Sequence, residues 1–140
     1  MKASIHTLLP NAAKTIREAV FIKEQGFQNE FDDIDQKAIH FVMWDETKPI
    51  ATCRLFQNDD QSTYTLGRLA VVQAYRGKSI GSMLIQEAEQ YVQKNGGNSI
   101  ILHAQCRTAK FYRKRGYRSF GEIDDDEGCP HIWMKRVLHI

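Results

Sequence analysis

The residues best suited to chemistry lie in one run, Arg76-Gly77-Lys78-Ser79-Ile80-Gly81. It follows an apolar stretch, Leu66 to Val72, and precedes a segment of helical periodicity. A helix start carries about four backbone N–H groups without intrahelical partners and roughly half a positive charge, so anions settle there. Gly77 and Gly81 allow close backbone approach, Arg76 and Lys78 add formal charge, and Ile80 and Ser82 extend the row of N–H groups. The ligand such a device suits is a pyrophosphate. Gly77-Lys78-Ser79 also resembles the end of a nucleotide-binding P-loop, but that motif needs glycine where Val72 stands, which excludes it.

Other candidates are dispersed. Arg54 and Arg68, on neighbouring predicted strands, could clamp a substrate carboxylate, or else face solvent. The acidic stretch from Gln28 to Lys37, with Asp32, Asp33 and Asp35, has the length at which loops often carry function. Asp124 to Glu127 reads as a solvated turn. His103, inside an apolar run, reads first as a core histidine. Cys53, Cys106 and Cys129 are odd in number and lack C-x-x-C spacing, so neither a disulfide framework nor a metal site is expected, and no cysteine nucleophile is assigned.

The elements that must position these residues follow from periodicity. Ser4 to Leu9 is expected as an edge strand and Ala12 to Gln25 as a helix ended by Gly26. Residues 38–44, 50–56 and 64–72 read as three consecutive antiparallel strands joined by polar turns. Ile80, Leu84, Ala88, Tyr91 and Val92 make the stripe of a helix that stops at Asn95-Gly96-Gly97. Ser99 to Ala104 is apolar enough for a central strand, which closes a βαβ unit. A short helix over Thr108 to Arg115, a strand from Tyr117 to Ile123, a polar loop from Asp124 to Pro130 and a strand from Ile132 to Leu138 complete the order β-α-β-β-β-α-β-α-β-β. The class expected is α/β (α+β), a mixed and mostly antiparallel sheet with a central βαβ unit and flanking helices.

With 140 residues, 42% of them hydrophobic and 26% charged, the chain is expected to form a single domain over 1–140. A net charge of +2 without a broad basic stripe argues against nucleic acid. No apolar run approaches the roughly 20 residues needed to span a membrane, so a cytoplasmic protein is expected. A homodimer is compatible with this, dimers being the commonest oligomers.

The motifs resemble the GNAT N-acetyltransferase superfamily. Its pyrophosphate signature, Q/R-x-x-G-x-G/A, is matched by Arg76 to Gly81 with Ser79 in place of a glycine. A second, asparagine-led family element resembles Cys106 to Tyr117, with Cys106 in the asparagine's place and Phe111-Tyr112 at its centre. Val20 to Gln25, His103-Ala104-Gln105 and Gly128 to Met134 are similar to the ElaA-like branch, and Asp32, Asp35 and His40 weakly resemble acyl-homoserine-lactone synthases.

The resemblance implies the GNAT fold and acetyl-CoA as cofactor, with transfer of its acetyl group to a primary amine of a small molecule or protein by direct attack in a ternary complex. Acyl transfer of the lactone-synthase type and a non-catalytic acyl-CoA-binding module remain as alternatives. The pantetheine arm would pair with Leu69, Ala70 and Val71, one of whose N–H groups would hold the oxyanion. Tyr112 takes the family's place of the acid that protonates the thiolate. The general base is open among Glu24, Asp35, His103, His131 and water, with His131 preferred. Glu24, Asp35, Arg54 and Arg68 are the residues expected toward the acceptor.

Overall fold

The computed structural model describes residues 1–138; the last two residues of the span expected as one domain, 139 and 140, lie outside the described residues. Seven strands form one mixed sheet in the order β1-β2-β3-β4-β5-β7-β6. They are β1 (Lys2–His6), β2 (Ile39–Asp45), β3 (Lys48–Gln57), β4 (Thr63–Val71), β5 (Ser99–Gln105), β6 (Arg118–Asp126) and β7 (Cys129–Val137). Among the described residues only β4 and β5 are parallel, joined by the crossover helix α3 (Ile80–Lys94).

Helix α1 (Asn11–Arg17) continues as a π-helical segment, Glu18–Glu24. The loop expected over 28–37 contains one helical turn, α2 (Ile34–Lys37), and α4 (Ala109–Lys114) follows β5 through a 3-10 turn. Leu84, Ile85, Ala88 and Val92 on α3 pack with Phe41, Leu55, Leu66, Ile100 and Met134 in the larger core. A smaller cluster joins Ile16, Val20 and Phe21 of the first helix to Ala70. Leu69 packs against the larger cluster and Ala70 belongs to the smaller one, so β4 divides the two helical layers.

Two features of β4 create the site. Pairing with β5 stops at Leu66↔Leu102, after which the strands part. Between Arg54↔Gly67 and Thr52↔Ala70, two residues of β4 oppose Cys53 alone, a bulge in which Arg68 takes φ +50°. Val72 N–H bonds the Ile50 carbonyl on β3, so by alternation the backbone groups of Leu69 and Val71 face the parting.

Two boundaries differ most from expectation: the first strand is Lys2–His6 and not Ser4 to Leu9, and the acidic turn near the end of the chain is shorter. The segment from Asp124 to Pro130 is not a loop: strand pairing runs through Asp124↔His131 to Asp126↔Cys129, and the turn is confined to Glu127-Gly128. Three residues of β6, Gly121 to Ile123, bulge out between Phe120↔Trp133 and Asp124↔His131, which breaks the alternation a sequence pattern would show. Every residue of β6 is exposed, so its acidic run incurs no burial cost.

Candidate active site

The loop between β4 and α3 builds the first half of the site. Gly77 takes φ +76° and Ser79 φ 63°, ψ 17°, a left-handed conformation costing a non-glycine residue about 1–2 kcal/mol. Ser79 caps α3 without a side-chain hydrogen bond, so its hydroxyl is free and the N–H groups of Ile80, Gly81 and Ser82 open the helix. A Cβ on Gly81 would lie 3.4 Å from Phe111 Cζ and 3.7 Å from Val71 Cγ2; the missing side chain lets the helix start sit close to α4 and β4.

A groove of about 610 Å³ runs from this loop along β4. It is lined by Leu69, Ala70, Val71, Arg76, Gly77, Ser79, Ile80, Gly81, Ser82 and Tyr112, so the structure brings together the expected cofactor residues except Lys78. The Lys78 ammonium instead lies over the Tyr75 ring at 5.3 Å. A left-handed turn, a row of free helical N–H groups and a cradle that a side chain would fill all fit a diphosphate.

A second cavity, of about 430 Å³, is lined by Leu66 to Leu69 of β4 and Leu102 to Gln105 of β5, the residues where the strands part, and reaches Glu30 and His131. Gln25, Leu69, Arg76, Arg107, Thr108 and Tyr112 line both cavities. The two spaces therefore meet at these six residues, Tyr112 and Leu69 among them. Gln105 donates to Gln25 Oε1 at 2.8 Å and accepts from Arg107 Nε at 2.7 Å, tying the end of the first helix to β5 beside this junction.

Tyr112 is half-buried between Phe111 and Tyr117, and burial pushes its hydroxyl far above the ordinary tyrosine range. It therefore stays protonated at neutral pH and can serve only as a donor acid. His131, 6% exposed, points Nδ1 at the Cys129 carbonyl 2.8 Å away. A carbonyl only accepts, so Nδ1 is the nitrogen that donates, and Nε2 is the one left for a lone pair in the matching tautomer. The His103 ring stacks between His131 and Trp133 at centroid distances of 4.6 and 4.7 Å, and its Nε2 lies 2.6 Å from Asp124 Oδ1. His103 is thus a cavity residue rather than a core one.

Glu24 and Arg76 form a two-point ion pair at 2.9 and 3.0 Å, while Arg76 Nε donates to the Val71 carbonyl at 2.9 Å. Both residues line the second cavity, yet each engages the other.

Two expected acceptor residues lie elsewhere. Arg54 and Asp35 line neither cavity and belong to a buried cluster under the 28–37 loop. Asp35 accepts from Arg17 Nη1 at 2.8 Å, Arg17 Nη2 at 3.1 Å and Arg54 Nη1 at 3.0 Å; Arg54 also bonds Asp32 at 2.6 Å. Burial opposes ionisation of Asp35, but the guanidinium bonds prevail and hold its pKa at about 2. With both oxygens engaged, Asp35 has nothing left for an acceptor. Arg68 does reach the cavity, its Nε bonding the Glu30 carbonyl at 3.1 Å and lying 3.0 Å from Glu30 Oε2.

Sequence reasoning missed Glu30, the partnership of His103 with Asp124, and a latch in which Glu127 accepts N–H bonds from Gln28 at 3.0 Å and Asn29 at 3.3 Å. The acidic composition of both segments was the available signal. It named the loops but not the residues, because pairs such as Gln28 with Glu127 are 99 positions apart. Among the described residues no cluster of three or more histidine, cysteine or acidic side chains is placed to hold a metal, and no helix is long and apolar enough to cross a membrane.

Comparison with known proteins shows the family and the fold. The acetyltransferase (GNAT) domain family matches residues 8–138. An uncharacterized N-acetyltransferase of Bacillus subtilis, YjcF, is 32% identical over 124 residues, covering 86% of this chain and 87% of that one. The ElaA protein of Escherichia coli is 29% identical over 128 residues, 88% of this chain and 84% of its own. The ElaA crystal structure superposes with a TM-score of 0.85 at 26% identity, covering 96% of this chain and 98% of that one. An aminoglycoside 6'-N-acetyltransferase solved with coenzyme A shares the fold, with a TM-score of 0.77 at 16% identity over 98% of this chain and 97% of that one.

Proposed function

The chain belongs to the GNAT acetyltransferase family, and on that premise we propose that it moves the acetyl group of acetyl-CoA to a primary amine by direct attack in a ternary complex. The observation that carries this reading is the junction of the two cavities: Tyr112 and Leu69 line both, so a group held in one cavity reaches a group held in the other there. Acetyl-CoA supplies the acetyl group as a thioester and departs as a thiolate.

The N–H groups of Ile80, Gly81 and Ser82 receive the diphosphate, beside Arg76 and the Ser79 N–H. The Leu69 N–H, turned outward by the bulge at Arg68, donates to the carbonyl oxygen as charge builds on it; one such donor contributes roughly 3–4 kcal/mol in other enzymes. His131 Nε2 takes the proton the amine must lose. Tyr112 Oη gives its proton to the departing sulfur. Cys53, Cys106 and Cys129 line neither cavity, which favours direct attack over a cysteine-bound acetyl group. All three are free thiols, in keeping with a reducing cytoplasm.

The reading is tested by incubating the protein with acetyl-CoA and a pool of primary amines while free thiol is followed and the amines are analysed by mass spectrometry. We expect thiol release in step with one acetylated amine. Coenzyme A binding without amine-dependent thiol release would refute the reading.

A further inference from the structure

Glu30 is the buried acid whose two oxygens are used unequally. It is 4% exposed, and it lines the acceptor-side cavity. Its fixed partners converge on Oε2: Arg17 Nε donates to that atom at 2.9 Å, and Arg68 Nε lies 3.0 Å from it. The Glu30 main-chain carbonyl takes a further bond from Arg17 at 3.0 Å. Oε1 makes no hydrogen bond, yet the buried side-chain atoms left without partners among the described residues are Arg54 Nε and Arg115 Nε, not this oxygen. Its open side is the cavity.

A carboxylate oxygen left without a protein donor and open to the cavity is placed to accept a hydrogen bond from a ligand. Anchoring the 28–37 loop requires only Oε2, so Oε1 is not explained by the fold. Burial raises the Glu30 carboxyl above 4.5 even against Arg68, Arg17 and Arg54, which leaves its charge short of hydrogen-bonded support. The cavity wall carries four carboxylates, Glu24, Glu30, Asp126 and Glu127, against three guanidiniums, Arg68, Arg76 and Arg107; with Glu24 and Arg76 paired to each other, Glu30, Asp126 and Glu127 face Arg68 and Arg107. Position agrees as well: Arg68, which holds Glu30, immediately precedes Leu69 at the junction of the two cavities.

We infer that Glu30 Oε1 is the docking point for the protonated amine of the acceptor, which makes the substrate class an alkylammonium and Glu30 a specificity-determining residue. The inference rests on the acetyltransferase reading of the same cavity. Glu30 accepts an N–H hydrogen bond from the ammonium and holds the nitrogen until His131 takes a proton. The aromatic faces of Phe21 and Phe27, on the same wall, accommodate the carbon next to the charge.

The test compares wild type, Glu30→Gln and Glu30→Asp on a pool of 2-phenylethylamine, tryptamine, spermidine and ethanolamine with acetyl-CoA, each active amine then being measured singly. A charge-assisted hydrogen bond lost from the complex predicts a KM for the amine about 10- to 100-fold higher in Glu30→Gln, with kcat changed far less and coenzyme A affinity retained. Glu30→Asp keeps the carboxylate and should recover part of that loss. Amine KM unchanged in Glu30→Gln, or equal losses in the two variants, would overturn the inference while leaving the acetyltransferase reading intact. If Glu30→Gln does not fold, wild type is challenged with 2-phenylethanol, the uncharged counterpart of 2-phenylethylamine, and competition at a concentration no higher than that amine's KM overturns it instead. No turnover of any amine by wild type would remove the parent reading and this inference together.

Discussion

Replacing Asp35 by asparagine tests whether the charge cluster under the 28–37 loop holds that loop in place. The change preserves shape and removes one negative charge from between two guanidiniums, Arg17 and Arg54, at 2.8 and 3.0 Å. Folding lowers the Asp35 pKa from 3.8 to about 2, burial opposing the shift and the guanidinium bonds driving it. At 1.36 kcal/mol per unit this amounts to about 2 kcal/mol of stability at neutral pH. The asparagine amide also turns a donor toward one guanidinium, and removing one partner of a buried ion pair costs about 3–5 kcal/mol in other proteins.

We therefore expect a loss of about 2–4 kcal/mol, a large part of the roughly 5–15 kcal/mol typical of a domain. Urea unfolding at neutral pH would read it as a midpoint lowered by about 1–2 M. The pH dependence fixes the cause. Because the folded pKa is depressed, the contribution is complete above the unfolded value of 3.8 and is lost as pH falls toward about 2. The gap between wild type and variant should hold at neutral pH and narrow once pH drops below that upper value. A loss under about 1 kcal/mol at neutral pH, or a gap that does not narrow in acid, would refute the electrostatic account.

Other expectations concern the site itself. Tyr112→Phe should lower kcat by on the order of 10²- to 10⁴-fold with coenzyme A affinity nearly unchanged; steady-state kinetics with calorimetry separates the two, and unchanged turnover would remove Tyr112 from the chemistry. Ser79→Gly relieves a left-handed strain of about 1–2 kcal/mol but loosens the unfolded chain, so thermal stability should barely move and coenzyme A should bind as well or better. Gly81→Val drives methyl groups into Phe111 or the groove and should abolish coenzyme A binding; normal binding would mean the cofactor lies elsewhere. Glu24→Gln frees Arg76 from a partly exposed ion pair and should tighten coenzyme A about two- to fivefold by calorimetry, whereas weaker binding would count against Arg76 as a phosphate ligand.

Much of the fold was legible because it is written locally. The stripe on α3, its glycine stop and the flanking apolar runs give the βαβ unit directly, and the phosphate loop lies between them. The bulge at Arg68 left no trace, since nothing in its neighbours requires an arginine at positive φ; it arises from register against β3. The strand through Asp124 to Asp126 was misread because acidic residues on an exposed edge look like a turn. In the acidic loop, composition drew attention to Asp35, which proves to be an anchor, and passed over Glu30, which faces the cavity. Which acid faces inward depends on Arg17, Arg54 and Arg68, brought from α1, β3 and β4 by tertiary packing. His103 lay in an apolar run that read as core, and only its pairing with Asp124 across β7 places it on the cavity side.

The most direct test of the central claim is a crystal structure of the protein with coenzyme A. The diphosphate should lie within about 3.2 Å of the N–H groups that open α3, and the sulfur should reach the junction of the two cavities, within hydrogen-bonding reach of Tyr112 Oη. A diphosphate bound away from the Arg76 to Ser82 segment, or a sulfur remote from both Tyr112 and Leu69, would contradict the account.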